Sequence, residues 1–207
     1  MGYFYIFSVS FAIALSGAMA PGPLLAAVIS GSLKRGFKTG PLIISGHAFL
    51  EIFMVAVLVL GLGRFINTPD VIKAISVIGA VILVYFGVKM LHTIPASNMN
   101  DSLTSKGISS NMFLQGITLS IANPYWAVWW MTIGLGLLLS ANQKGLLGLV
   151  FFFTGHVLAD LVWYSFVSFS LSRGKKFISP HIYRIVLKVC AFIVISFGLY
   201  FGINAFM

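Results

Sequence analysis

Residues 40–62 read GPLIISGHAFLEIFMVAVLVLGL, an apolar run long enough to cross a bilayer that carries a histidine and a glutamate. Residues 146–171 read LLGLVFFFTGHVLADLVWYSFVSFSL and repeat the pattern with a histidine and an aspartate. In both runs the order Gly-His-x-x-x-acid places the two polar side chains on one helix face. A carboxylate at the centre of a bilayer costs about 2.5–3.5 kcal/mol on insertion scales, and such groups usually face an interior cavity. The two runs therefore predict a membrane protein with a polar interior site.

The composition supports this membrane assignment. Of the 207 residues, 59% are hydrophobic and 8% are charged, whereas a soluble domain carries about 25% charged residues. Six apolar runs reach the length of a transmembrane helix, so we expect an all-α protein with six transmembrane helices in a single domain, residues 1–207. The runs lie at about 4–29, 40–62, 71–91, 113–139, 146–171 and 185–206.

The chain divides into two similar halves. A polar linker at about residues 93–110 separates a first repeat, about residues 1–92, from a second, about residues 111–207. The first helix of each half contains a break, Pro21-Gly22-Pro23 in one and Asn123-Pro124 in the other, and the second helix carries Gly-His-x-x-x-acid. Because an odd number of spans per repeat makes the second copy enter the membrane from the opposite side, we expect two inverted three-helix repeats.

The repeated motif provides four ionisable residues, with His47 one turn from Glu51 and His156 one turn from Asp160. A buried carboxylate can hold a proton or pair with a cation, and this competition is a physical basis for exchanging protons for a cationic amine. A nearby histidine extends proton exchange towards neutral pH. We therefore predict that these four residues couple transport to protons or cations. Imidazole and carboxylate groups also bind divalent metals, so a divalent metal-ion exporter is the alternative.

The two breaks provide a candidate substrate site. Each pairs an N-cap residue, Gly22 or Asn123, with a proline at the first helical position. The free amides and positive dipole of a helix start suit a carboxylate, and we expect this of both starts, including the amides of Tyr125 and Trp126. Aromatic rings there also suit an ammonium group. The predicted substrate-binding residues are Pro21, Gly22, Pro23, Asn123, Pro124, Tyr125 and Trp126.

Basic residues predict the orientation. Ten of the 13 Lys and Arg residues lie in or beside the first, third and fifth connections, which the positive-inside rule places in the cytoplasm. Both termini are then expected outside the cytoplasmic (inner) membrane. The net charge of +9 is thus a topology signal and does not indicate a nucleic-acid partner. The ten residues are Lys34, Arg35, Lys38, Lys89, Lys106, Arg173, Lys175, Lys176, Arg184 and Lys188.

The motif content does not favour an enzyme. The chain lacks a Gly-x-Ser-x-Gly nucleophile turn, a zinc-protease motif and a phosphate-binding loop, and we expect no cofactor. Its one cysteine, Cys190, cannot form an intramolecular disulfide or a redox pair. The pattern Gly198-x-x-x-Gly202 permits close helix contact, either within the chain or in a homodimer.

Four segments together resemble a known family. They are Ala20-Pro21-Gly22-Pro23-Leu24, the basic glycine loop of residues 31–40, the glycine–tyrosine–glycine pattern of residues 78–91 and the stretch 113–124 that ends in Asn-Pro. Their order and spacing are similar to those of the lysine-exporter superfamily of translocators, which includes threonine and homoserine-lactone exporters. The resemblance implies a cytoplasmic-membrane exporter of amino acids or related small molecules. Combined with the ionisable pairs, it predicts a secondary transporter that exports amino acids or small amines by proton antiport.

The chain also departs from the pattern of that family. Glu51 occupies a position where many members have an aspartate, and the two motif histidines depart from the commonest pattern. The tryptophan-rich segment after Pro124 departs from it as well. We therefore expect a divergent branch, and the substrate of a relative does not carry over to this chain.

Overall fold

The computed structural model describes residues 2–20, 22–61, 68–92 and 111–206. Within these ranges the chain is helical apart from short connections, and no strand is present there. The predicted linker, residues 93–110, and the predicted site residue Pro21 lie outside the described residues.

Nine α-helices and one π-helical segment account for most of the described chain. In order they are α1 (Tyr3–Ala18), α2 (Pro23–Arg35), α3 (Thr39–Val59), α4 (Pro69–His92), α5 (Met112–Ile121), α6 (Pro124–Trp129), the π-helical segment (Trp130–Gly134), α7 (Leu135–Asn142), α8 (Gly145–Gly174) and α9 (Pro180–Asn204). A short 3-10 turn, Lys175–Phe177, lies between α8 and α9.

Four single helices, α3, α4, α8 and α9, are long and apolar enough to cross a membrane. Helices α1 and α2 meet at 74° and make a fifth span if the bent pair is counted as one. The predicted run 113–139 is not a single helix, because it is divided among α5, α6, the π-helical segment and α7. The described residues therefore contain four or five candidate spans.

The outer surface is largely apolar, and two acidic groups at the middle of long helices are inside, the reverse of a soluble protein. Large apolar side chains are exposed along these helices, for example Phe53 on α3, Phe166 on α8 and Phe192 on α9. Glu51 and Asp160, by contrast, are 1% and 6% exposed. This distribution is that of a multi-pass membrane protein.

Capping residues explain where several helices begin. The side chains of Asn111, Asn123 and Ser179 accept hydrogen bonds from amides in the first turns of α5, α6 and α9. Helices α2, α6 and α9 each begin with a proline, which fits a position whose amide has no partner within the helix. The predicted helix starts after the two breaks are therefore confirmed.

The two halves pack against each other in a reciprocal pattern, with α1 against α8, α3 against α5 and α4 against α9. The motif glycines permit the close approach. A side-chain carbon added at Gly46 of α3 would collide with the backbone of Phe113 on α5. One added at Gly155 of α8 would collide with the backbone of Phe7 on α1. Helix α3 of the first half thus contacts α5 of the second half, and α8 of the second half contacts α1 of the first.

The contacts between α1 and α8 give their relative direction. Tyr3 stacks on Phe151 with ring centroids 5.3 Å apart. Four residues further along both helices, the backbone of Phe7 meets Gly155. Because the contact advances along both chains together, α1 and α8 run in the same direction.

Helices α3 and α5 are related in the same way. The backbone carbonyl of Ile43 meets Gly116, and four residues further along both helices His47 is hydrogen-bonded to Ser120. These two helices therefore also run in the same direction, and their contact repeats the one between α1 and α8.

Helices α4 and α9 run in opposite directions. Gly87 on α4 faces the backbone of Ala191, whereas Ala80, earlier on α4, faces the later residues Gly198 and Gly202. The Gly198-x-x-x-Gly202 face of α9 therefore packs within the chain.

Candidate functional site

Helices α3 and α8 bring the four predicted ionisable residues into one buried cluster. Nε2 of His47 lies 3.1 Å from Oε1 of Glu51 on its own helix, and 3.8 Å from Oδ2 of Asp160 on the other. Nε2 of His156 lies 2.9 Å from Oε1 of Glu51 and 3.7 Å from Oδ2 of Asp160. The two copies of the motif therefore meet, and of the two acids His156 lies closer to the one of the other half.

Glu51 is at the centre of the cluster. Besides the two histidines, the indole Nε1 of Trp130 donates to Oε1 of Glu51 at 3.2 Å. Trp130 is fully buried and opens the π-helical segment, which widens the helix turn at this point. It was not among the predicted site residues. Its position in the aromatic stretch after Pro124 is the sequence signal that points to it.

His47 has a second hydrogen bond on its other ring nitrogen. Nδ1 of His47 lies 2.6 Å from the hydroxyl of Ser120 on α5. That hydroxyl donates to the carbonyl of Gly116 at 2.7 Å, one turn earlier. Ser120 was also not among the predicted site residues. It lies four residues after the glycine that packs on α3, and this spacing is the signal that could have identified it.

Several polar atoms of the cluster lack a hydrogen-bond partner among the described residues. They are Oδ2 of Asp160, Oε2 of Glu51 and Nδ1 of His156, all buried. Buried polar groups in native proteins are nearly always hydrogen-bonded, so unpaired ones at a shared position indicate a place for a proton or a ligand.

A cavity of about 320 Å³ adjoins the cluster. The four ionisable side chains form part of its wall, and the two helix breaks form another part. Trp129, whose ring centroid is 5.0 Å from that of His156, also lines it. The lining residues from the two breaks are Ala20, Gly22, Pro23, Leu24, Leu25, Asn123, Tyr125 and Trp126. The structure therefore brings the predicted coupling residues together with most of the predicted substrate-binding residues.

The two helix starts at the cavity differ. At α6, Oδ1 of Asn123 accepts from the amide of Tyr125 at 3.1 Å, and the amide of Trp126 donates to the Asn123 carbonyl at 3.0 Å. Contrary to expectation, these two amides are already hydrogen-bonded and are not free for a substrate carboxylate. At α2 the N-cap is Gly22, which has no side chain to cap the helix. Pro124, the first residue of α6, is buried and is not among the residues that line the cavity.

The cluster also has the spacing of a small cation site. One ligand atom each from His47, Glu51 and Asp160 can be chosen so that all three lie within 4.8 Å of one another. In this structure, however, both ring nitrogens of His47 and Oε1 of Glu51 are engaged in hydrogen bonds or ion pairs with protein groups. A metal ion at this position would have to replace these existing contacts.

Comparison with known proteins gives two findings. The LysE type translocator family matches the chain over residues 15–205. Over 189 residues the chain is 23% identical to YcgF of Bacillus subtilis (strain 168), a protein whose name proposes amino acid efflux. That alignment covers 91% of this chain and 90% of the relative. No solved structure matches the chain significantly.

Proposed function

This chain belongs to the LysE type translocator family, and from that premise we propose that it exports an amino acid or a related small amine across the cytoplasmic membrane in exchange for protons. Family membership makes it a membrane translocator of a small molecule and not an enzyme. One observation carries the coupling part of the proposal. Two carboxylates and two histidines lie together, buried, on the wall of a cavity between two interrupted helices.

We further propose that the single domain has six spans arranged as two inverted repeats. In this arrangement α1 with α2 forms the first span, and α5 through α7 form the fourth. The reciprocal packing supports this, because α1 runs parallel to α8 just as α3 runs parallel to α5. Inverted halves also place their last spans, α4 and α9, antiparallel to each other, as their contacts are. Both termini would then lie outside, and access would alternate as one group of helices rocks against the other.

The proposal also gives the substrate an orientation. Its ammonium group binds at the cluster, where a carboxylate provides the negative charge. Its carboxylate binds towards the start of α2, where the positive end of the helix dipole faces the cavity through Pro23 and Leu24. The rings of Tyr125 and Trp126 enclose the middle of the substrate.

Transport by purified protein in proteoliposomes tests this function. Amino acids are screened for counterflow, and flux is then measured with an imposed pH gradient. We expect saturable counterflow of at least one amino acid, and net flux that reverses when the gradient is reversed. If amino-acid flux is insensitive to the pH gradient, the proton-antiport part of the proposal is wrong. A lack of counterflow with every amino acid would overturn the proposal.

A divalent metal ion is the second candidate cargo, favoured by the spacing of the cluster atoms. The same proteoliposomes distinguish the two readings. Flux of a divalent metal without amino-acid flux would establish metal export, and a metal-dependent rise in thermal stability that His47→Ala abolishes would support it. The hydrogen bonds that already engage His47 and Glu51 make the amine the better match.

A further inference from the structure

We propose that Asp160 is the carboxyl group that gives up its proton when the substrate ammonium binds, while Glu51 stays ionised as the fixed partner of the two histidines. This assignment rests on the proposed function and deepens it, because it gives different tasks to two acids that the repeat presents alike. It follows from the hydrogen atoms that each side chain of the cluster has available.

One carboxylate oxygen of Glu51 is surrounded by three nitrogens, whereas its Oε2 has no hydrogen-bond partner among the described residues. Its Oε1 accepts the indole N–H of Trp130 at 3.2 Å, and a tryptophan nitrogen is a donor only. Nε2 of His156 and Nε2 of His47 approach the same oxygen at 2.9 Å and 3.1 Å. Three nitrogens around one oxygen are stable when that oxygen carries negative charge, because charge-assisted hydrogen bonds are the stronger ones. Glu51 is therefore ionised in this arrangement.

Ser120 fixes the protonation of His47. The Ser120 hydroxyl has one hydrogen and donates it to the carbonyl of Gly116, so it accepts from Nδ1 of His47. With Nδ1 protonated and Nε2 donating to Glu51, His47 is an imidazolium. Its positive charge balances the negative charge of Glu51.

His156 adds no charge to the cluster. Its Nδ1 is buried and has no hydrogen-bond partner among the described residues. A buried N–H without an acceptor would cost the desolvation of a donor, so the ring is in the neutral form with its hydrogen on Nε2. That hydrogen points to Glu51.

Oδ2 of Asp160 is left without a hydrogen-bond donor among the described residues. This oxygen lies 3.8 Å from Nε2 of His47 and 3.7 Å from Nε2 of His156, and both nitrogens already donate to Glu51. The side chain is buried and lines the cavity. An ionised Asp160 would leave one uncompensated negative charge within the membrane, and a proton or an incoming cation removes that cost. The titratable groups around the cavity are His47 and Glu51 on α3, His156 and Tyr164 on α8, and Tyr125 on α6.

The exchange step balances. The O–H bond of the Asp160 carboxyl group breaks, its proton leaves to the aqueous phase through the cavity, and the carboxylate pairs with the –NH3+ group of the substrate. One proton is released for each ammonium group bound, so the charge of the site is unchanged. Protons and substrate compete for one group, and substrate affinity therefore falls as the pH falls.

Substrate binding measured against pH tests the assignment. The full-length protein is titrated in detergent with the amino acid that the wild type transports in counterflow. Tryptophan fluorescence reports binding, because two of the four tryptophans, Trp126 and Trp129, line the cavity. We expect the apparent Kd of the wild type to rise about tenfold per unit decrease in pH where Asp160 is protonated. Asp160→Asn should abolish this pH dependence, whereas Asp160→Glu and Glu51→Gln should retain it.

Each outcome decides the matter. Retention of the pH dependence in Asp160→Asn, or its loss in Glu51→Gln, would overturn the inference. If Glu51→Gln does not fold, Trp130→Phe replaces it, because this change removes one donor from Glu51 and leaves Asp160 untouched. Loss of the pH dependence in Trp130→Phe would then overturn it equally. A wild type without amino-acid counterflow is the failure of the proposed function and is seen before any variant is compared.

Discussion

Helices α3 and α8 carry the same six-residue pattern, yet their acids have different surroundings. Each helix packs through its motif glycine on the first helix of the opposite half. On α3, Oε1 of Glu51 accepts from Trp130 and pairs with both histidines, whereas Oδ2 of Asp160 on α8 has no hydrogen-bond partner among the described residues. The repeat thus sets the backbone geometry, and residues outside the motif give the two copies different chemistry.

Replacing each acid by its amide should separate the two copies most clearly. Glu51→Gln leaves the His47 imidazolium buried without its partner, and we expect the free energy of unfolding to fall by about 3–5 kcal/mol. Asp160→Asn replaces a neutral acid by a neutral amide and should cost less than about 1 kcal/mol. Thermal unfolding in one detergent measures both. Equal losses would show that the two acids are equivalent and that the comparison fails.

Ser120 offers a second and smaller contrast. Ser120→Ala removes the acceptor of a charged imidazole, so a loss of about 1.5–3 kcal/mol in unfolding free energy is expected. Ser10 on α1 is the control, because its hydroxyl donates to the neutral carbonyl of Phe152 on α8 at 2.7 Å. Ser10→Ala should cost about 1 kcal/mol. The same unfolding assay would contradict the charged state of His47 if Ser120→Ala proved the milder change.

The smallest contrast lies at the two helix breaks. Asn123→Ala removes the side-chain cap of α6 and should cost about 0.5–2 kcal/mol. Gly22→Ala should cost less than Asn123→Ala, because no side-chain hydrogen bond caps α2 and a side-chain carbon at Gly22 meets no atom within 4 Å. Gly22→Ala should instead weaken substrate binding, because it narrows the cavity. A stability loss at Gly22 as large as that at Asn123 would show that the breaks are equivalent.

The sequence predicted the pairing of acids and histidines within each helix, because a spacing of four residues depends on helix geometry alone. This pairing is close for His47 and Glu51 at 3.1 Å and longer for His156 and Asp160 at 3.7 Å. The shorter contact of His156 is with Glu51 on the other helix. That choice depends on how two helices cross, which the spacing within one helix does not specify.

The helix breaks were predicted from proline and its capping neighbours, and their starts at Pro23 and Pro124 agree. The π-helical segment was not predicted, because it is one extra residue in a turn and leaves no pattern in an apolar run. Trp130 opens that segment and donates to Glu51. A local change in helix winding therefore contributes to the difference between the two acids, and it lies outside the repeated motif.

The long separation of Glu51 from its main partners has a consequence for synthesis of the chain. Trp130 and His156 follow Glu51 by 79 and 105 residues. At about 5–20 residues per second, the ribosome needs roughly 5–20 s to supply the later of the two. During that interval His47, already present on the same helix, is the partner at hand for Glu51. The motif thus provides a histidine partner for the acid of the nascent helix before the later helices are synthesised.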